Sequence, residues 1–319
     1  MTKYLVTGGA GFIGSHLARE LVENGHEVVV LDNLSTGRIS NLEGYLERLR
    51  FVEGSITELD TVLDCCQGVD CVFHQAALPS VPRSVQDPLA SDENNVGGTL
   101  RVFWGAHQSG VRRVVYAASS SIYGDTEELP KHEGMQPRPM SPYAVNKRVS
   151  ELYGAVFNDL YGLSTIGLRY FNVFGPRQDP TSQYSAVIPK FITAFLNGEA
   201  PVIHGDGGQS RDFTYIANVV GANLAAAAAP IEAGGRSYNI ALGGRVSVKD
   251  LCFRIRKFLG TELEPVYDES RPGDVRHSQA SVELARKFLS YEGAVDLDEG
   301  LLRTVRWYQE NHRPEKGKK

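Results

Sequence analysis

Cysteine, methionine and tryptophan are scarce in this chain, at 4, 3 and 2 among 319 residues. The cysteines (Cys65, Cys66, Cys71 and Cys252) make no C-x-x-C pair and no Cys/His cluster with metal-ligand spacing. That argues against a zinc site or a disulfide framework, so no metal is expected. No apolar run approaches the roughly 20 residues of a membrane span, and Met1-Thr2-Lys3 leads straight into a strand pattern with no apolar signal core. A cytoplasmic protein without a membrane partner is therefore expected. Positive charge is not in excess either: 33 Lys and Arg face 38 Asp and Glu, a net of −5. Such a chain is a poor general binder of nucleic acid, although a few local arginines can still hold an anionic ligand. Wholesale disorder does not fit a mixture of 42% hydrophobic and 22% charged residues.

What the chain does have is alternation. At this length two domains, or one large domain with an annex, are expected. Strand patterns at Tyr4-Leu5-Val6, Val28 to Leu31, Phe51-Val52, Cys71 to Phe73 and Val114 to Ala117 alternate with helical spacing over Phe12–Asn24, Asn95–Gln108 and Tyr143–Tyr161. This order predicts an α/β fold with a parallel sheet covered on both faces. After Asn172 the texture changes. Gly175-Pro176, Asp179-Pro180 and Gly205-Asp206-Gly207-Gly208 mark long loops. The alanine-rich stretch Ala222–Ala229 reads as a packed helix, and Ser237 to Ile240 as one more strand for the main sheet. The boundaries expected are 1–174 for a nucleotide-binding domain, with 215–242 returning to it. A smaller α/β C-terminal substrate lobe would take 175–214 and 243–319.

Gly8-Gly9-Ala10-Gly11-Phe12-Ile13-Gly14 stands between the first strand and the first helix. Glycines there permit a tight turn and close approach of backbone to a pyrophosphate, and the helix N-terminus adds unpaired N–H groups and a positive dipole end. Asp32 closes the second strand roughly 20 residues further on, where a carboxylate accepts from both ribose hydroxyls and repels a 2′-phosphate. NAD rather than NADP is the expected cofactor.

Tyr143 and Lys147 lie one turn apart and share a helix face. A nearby ammonium stabilises a phenolate and lowers its pKa toward the working range, which makes a general base for an alcohol proton. Ser119, Ser120 and Ser121 end a buried strand, where chemistry sits in open parallel sheets.

With these motifs the chain resembles the extended short-chain dehydrogenase/reductases, and within them the nucleotide-sugar epimerases. The resemblance spans nearly the whole chain. It rests on the segment Thr7 to Gly14, His74-Gln75-Ala76-Ala77, residues 119–124, Tyr143 to Lys147, Arg169-Tyr170-Phe171-Asn172, Arg211-Asp212-Phe213 and Arg271-Pro272-Gly273-Asp274. It implies a Rossmann-type doubly wound sheet, catalysis by Tyr143, Lys147 and Ser119, and a homodimer paired through the helices at Asn95–Gln108 and Tyr143–Tyr161. The apolar face of that pairing would include Leu100, Phe103, Leu152, Val156 and Leu160. NAD contacts are implied for Gly8, Gly11, Phe12, Ile13, Gly14, Asp32, Asn33, Ser35, Thr36, Gly37, Gly54, Ser55, Ile56, Gln75, Ala76, Ala77, Asn95, Tyr143, Lys147 and Tyr170. One departure is Ser55, which stands where relatives usually carry an Asp on the adenine amine.

For the substrate the resemblance implies a UDP-sugar. Asn172, Arg211, Arg271 and Asp274 would hold the nucleotide, with Val187 near the uracil and Ser119, Ser120, Ser121 and Tyr143 at the sugar. Two arginines can clamp a diphosphate bidentately, and a carboxylate can accept from ribose hydroxyls. Dehydratases of this kind follow the catalytic hydroxyl with Asp and Glu, and UDP-glucuronate decarboxylases have a Glu at the position of Ser121. Here Ser120 and Ser121 stand instead, so the chemistry is expected to stop at reversible oxidation of C4. Ser278 leaves room beside the sugar C2 substituent, and Ser80 and Arg83 in the loop Leu78 to Ser84 offer donors to an acetamide. The expected pair is UDP-GlcNAc/UDP-GalNAc, with UDP-Glc/UDP-Gal also usable. The rivals are a UDP-Glc/UDP-Gal-specific epimerase, a uronic-acid epimerase or decarboxylase, and a non-catalytic NAD-binding regulator. The decarboxylase or dehydratase reading would need an acid such as Asp125 or Glu127.

Overall fold

The computed structural model describes residues 1–180, 187–269 and 276–312. Seven strands form one parallel sheet: β1 (Lys3–Thr7), β2 (Glu27–Asp32), β3 (Arg50–Glu53), β4 (Cys71–His74), β5 (Arg113–Ser119), β6 (Ser164–Tyr170) and β7 (Arg236–Ile240). Their spatial order is β7-β6-β5-β4-β1-β2-β3. The order reverses at β1 and β4, which puts a crevice beyond their carboxyl ends.

Side chains alternate across the pleat. Val6, Val28, Val30 and Phe73 point to one face, and Leu5, Val29, Leu31 and Val72 to the other. The first face is covered by α1 (Phe12–Glu23) through Leu17 and Leu21 and by the alanine-rich α8 (Ile216–Ala228). The second is covered by α2 (Leu59–Cys66), α5 (Gly98–Gln108) and α6 (Pro142–Tyr161), through Val62, Phe103 and Phe157. All four cysteines are buried free thiols in these packing layers and in the smaller lobe.

Three features differ from the expectation. Strand β6 is not marked as one in the sequence, because Ser164, Thr165, Gly167 and Arg169 interrupt its apolar run, yet all seven of its residues are buried. The helix expected from Asn95 begins only at Gly98, after a π-helical turn over Glu93–Gly97. Residues Ser120–Tyr123 close β5 as a 3-10 turn.

Two short helices, α3 (Val81–Gln86) and α4 (Pro88–Asp92), follow β4. In the smaller lobe α7 (Val187–Leu196), α9 (Val248–Leu259) and α11 (Leu297–Asn311) pack on one another, while α10 (Glu283–Leu289), expected there too, packs against β7 and α8 of the sheet. Short pairings tie its loops together: Val202–His204 beside Val266–Asp268, and Ser210–Arg211 beside Val246–Ser247. Among the described residues no helix is long and apolar enough to cross a membrane, and no group of His, Cys, Asp and Glu is arranged to hold a metal ion.

Candidate active site

The glycine turn is shaped by exclusion. A methyl group on Gly14 would come within 2.2 Å of the Gly8 carbonyl oxygen, and one on Gly8, whose φ is +68°, within 2.7 Å of the Ala76 backbone. The turn opens into a cleft of about 450 Å³. Gly8, Gly11, Phe12, Ile13 and Gly14 line it together with Asp32, Asn33, Ser35, Thr36, Gly54, Ile56, Gln75, Ala76 and Ala77. Asp32 is held by the Ala10 N–H on Oδ2 (2.9 Å) and the Leu34 N–H on Oδ1 (2.8 Å). Each oxygen keeps a lone pair for a ribose hydroxyl. Burial raises the Asp32 pKa, and the two N–H bonds work against that rise. The donor set and the Cβ-free cradle fit a dinucleotide.

Gly37 does not line the cleft but packs behind Asp32, where a methyl group would lie 2.9 Å from both carboxylate oxygens. Ser55 turns its hydroxyl to Thr57 Oγ1 (2.7 Å) and also stays outside. Asn94 lines the cleft in place of Asn95. The π turn sends Asn95 inward, where its Oδ1 accepts from the Leu78 N–H at 2.8 Å. Leu78, Pro79, Gln178 and Asp179, which are not among the expected contacts, also line the cleft.

Ser119, Tyr143, Lys147 and Tyr170 open onto the same cleft from three elements, β5, α6 and β6. Ser119 Oγ accepts from the Ser121 N–H at 3.2 Å, which fixes the 3-10 turn. Lys147 Nζ lies 5.8 Å from the Tyr143 ring centre and donates to the Ala117 carbonyl at 2.7 Å. Burial lowers the Lys147 pKa to about 8. Burial also raises the Tyr143 phenol, and a hydrogen bond with Ser119 pulls it back. The Ser119 hydrogen bond favours the phenol's charged form, and the Lys147 ammonium stands on the same side of the cleft as the ring. Tyr170 and Gln75 are linked through the buried Asn223, whose Nδ2 donates to Tyr170 Oη at 2.9 Å.

Asn172 and Val173 belong both to this cleft and to a second one of about 610 Å³. Val187, Phe191, Pro201, Val202, His204, Gln209 and Arg211 line the second cleft. It places Val187 and Arg211 of the expected nucleotide site on common ground with Asn172, whose Nδ2 donates to the Asp212 carbonyl at 2.9 Å. Arg271 and Asp274 lie outside the described residues.

The expected sugar-side residues are not brought together. Ser80 caps α3, accepting from the Arg83 N–H at 3.1 Å, and Arg83 is exposed. Ser120, Ser121 and Ser278 line neither cleft. Ser278 is buried, and its N–H donates to the Ser210 carbonyl at 3.0 Å. Asp125 and Glu127 are exposed and line neither cleft.

Comparison with known proteins agrees with this geometry. The model of a family described as the NAD dependent epimerase/dehydratase family matches residues 4–241. The UDP-glucose 4-epimerase of Mycolicibacterium smegmatis is 38% identical over 309 residues, which cover 96% of this chain and 98% of that one. A UDP-N-acetylglucosamine 4-epimerase from Methanobrevibacter ruminantium, solved with UDP-N-acetylmuramic acid, superposes with a TM-score of 0.93 at 40% identity, covering 97% of this chain and 98% of its own. A Thermotoga maritima UDP-glucose 4-epimerase solved with UDP-glucose superposes with a TM-score of 0.93 at 36% identity, covering 98% and 100%.

Proposed function

The chain belongs to the NAD dependent epimerase/dehydratase family, and on that footing we propose that it inverts C4 of a UDP-hexose, with UDP-GlcNAc and UDP-GalNAc as its preferred pair and UDP-Glc and UDP-Gal also turned over. It is an NAD-dependent isomerase. The observation that carries the reading is the convergence of the glycine cradle, Ser119 and Tyr143 on one cleft, which Asn172 and Val173 join to a second.

NAD, held by the glycine turn and Asp32, would supply a reversible hydride acceptor and a positive charge that lowers the phenol's pKa. Tyr143 takes the C4 hydroxyl proton as that carbon is oxidised and returns it when the 4-keto sugar has turned its other face to the cofactor. Ser119 holds the C4 oxygen, and Lys147, anchored on Ala117, keeps its charge on the ribose side of the cleft. Arg211 and Asn172 anchor the nucleotide while the sugar turns. The only acids on the first cleft among the described residues are Asp32 and Asp179, so elimination of water or CO₂ has no acid beside the serine turn. The preference for the acetylated pair is supported by the similarity to the M. ruminantium enzyme.

Measuring kcat/KM over the four UDP-sugars tests the reading. Turnover of the acetylated pair at unchanged mass is expected, and undetectable turnover of that pair would defeat the assignment. Tyr143→Phe is expected to fold, retain NAD and lose turnover.

A homodimer through α5 and α6 belongs to the same proposal. Phe103 is buried in the monomer core, but Trp104, Leu152, Val156, Leu160 and Tyr161 leave a shared apolar face exposed, Leu160 to 75%. Light scattering on Leu160→Glu with Val156→Glu should show a monomer if that face pairs two copies.

A further inference from the structure

Helix α6 carries both Tyr143 and Lys147, and its first turn is satisfied by two different serines. Ser141, its own cap, accepts from the Ala144 N–H at 3.2 Å through Oγ. The N–H of Tyr143 goes elsewhere: it donates at 3.1 Å to Oγ of Ser84, a buried residue of α3. Ser84 Oγ in turn donates to the Val81 carbonyl at 2.7 Å, which turns its lone pairs toward Tyr143. First-turn N–H groups have no partner within their own helix, so this bond fixes where the helix starts.

The next turn is held as firmly. Asn146, between the tyrosine and the lysine, is buried. Its Oδ1 accepts from Ser91 Oγ at 2.8 Å, and its Nδ2 donates to Asp92 Oδ1 at 3.1 Å. Ser91 Oγ accepts from Asn95 Nδ2 at 3.3 Å, and the same amide of Asn95 brackets the Leu78 backbone. Leu78 lines the cleft. A continuous polar chain thus runs from the cleft wall at Leu78 through Asn95, Ser91 and Asn146 into the helix of the base. Each buried member is satisfied, which is the condition under which such networks rigidify a site.

We propose that Ser84 and Asn146 are positioning residues for Tyr143 and Lys147, locking the catalytic helix and the loop at residues 78–84 into one rigid body. This rests on the reading of Tyr143 as the base. The consequence concerns the turn-over of the 4-keto sugar. The sugar must rotate in the cleft while the phenol stays within reach of C4 on both faces, and a wall that moves with the helix keeps that distance constant. Displacing a reacting group by about 1 Å can cost on the order of a hundredfold in rate.

The test uses the purified holoenzyme and whichever of the four UDP-sugars the wild type turns over fastest, with kcat, KM, bound NAD and Tm measured for each variant. Ser84→Ala is expected to lower kcat about 10–100-fold with KM within about threefold and NAD content unchanged, and Ser84→Thr to recover most of it. Asn146→Asp sets a carboxylate against Asp92 and is expected to lower kcat about tenfold; adding Asp92→Asn restores the donor and should return kcat to within about threefold of wild type. If Ser84→Ala does not fold, the Asn146/Asp92 exchange decides alone. Wild-type kcat in Ser84→Ala or Asn146→Asp, kcat loss that tracks lost NAD, or no recovery on adding Asp92→Asn would overturn the proposal. An inactive Tyr143→Phe beside fully active Ser84→Ala and Asn146→Asp would sink the positioning role alone. An active Tyr143→Phe would sink the assignment of the base.

Discussion

At the cofactor end the cleft is walled by main chain, whereas the second cleft, proposed above as the nucleotide end, is walled by side chains. Gly8, Gly11 and Gly14 bring bare backbone to the cleft, and an added methyl on Gly14 has nowhere to go. The second cleft collects Val187, Phe191, His204, Gln209 and Arg211 from separate loops and helices of the smaller lobe. A backbone site is limited by geometry and tolerates almost no change. A site of side chains can be altered one residue at a time.

The contrast can be broken most forcefully at Gly14. Gly14→Ala must displace the Gly8 carbonyl 2.2 Å away, and overpacking of this kind costs about 1–3 kcal/mol. The expected result is NAD retention weakened by about ten- to a hundredfold, read as cofactor released on denaturation. Full NAD content would show that the turn adapts. Arg211→Ala should leave NAD content untouched and raise the KM for the UDP-sugar by about tenfold or more, as losing a charge-assisted bond costs about 1.5–3 kcal/mol. An unchanged KM would remove Arg211 from the substrate site.

The two ends should also respond to pH with opposite sign. Burial pushes His16 down to about 4 and His74 to about 3, the latter also opposed by the Lys147 charge. His74 sits neutral between Thr7 Oγ1 (2.7 Å) and Thr99 Oγ1 (3.0 Å) under the cofactor end. Between those values and about 6.5 the unfolded chain binds protons that the native chain refuses, so stability rises with pH across the window. Asp212, at the nucleotide end, is pushed up to about 6 by burial although Ala280, Leu242 and Gly243 donate to it. It contributes stability that is lost as pH rises from about 4 toward 6. In thermal unfolding across this range, His74→Gln should flatten the rise of Tm with pH and Asp212→Asn should steepen it. Parallel curves for all three proteins would contradict the assignment. The smallest effect is expected at Arg83: it is exposed and outside both clefts, so Arg83→Ala should change kcat/KM for either sugar pair by less than about threefold.

The same difference in building material decided what could be read from the amino-acid order. The cofactor end was legible because glycine spacing, a strand end and Asp32 lie close together in sequence and their geometry is nearly obligatory. The Tyr143–Lys147 pair was legible for the same reason, being one helical turn. Strand β6 was not, because its polar residues are buried by partners far along the chain. Arg169 is paired to Glu151 at 2.7 Å and donates to Tyr123, and Thr165 donates to the Gly154 carbonyl at 2.6 Å. Asn95 was assigned to the cleft one residue away from the side chain that enters it, because a π turn shifts the register of the helix by one residue. Ser84 carried no signal at all, since its partner is a backbone N–H 59 residues away.

The central claim is that C4 of the sugar gives up its hydrogen and regains the same one on the opposite face. A UDP-sugar carrying deuterium at C4, incubated with the holoenzyme in ordinary water and no added cofactor, tests it most directly. The expected product is the C4 epimer, unchanged in mass and with the deuterium still at C4. Deuterium lost to water, or found at another carbon, would contradict it.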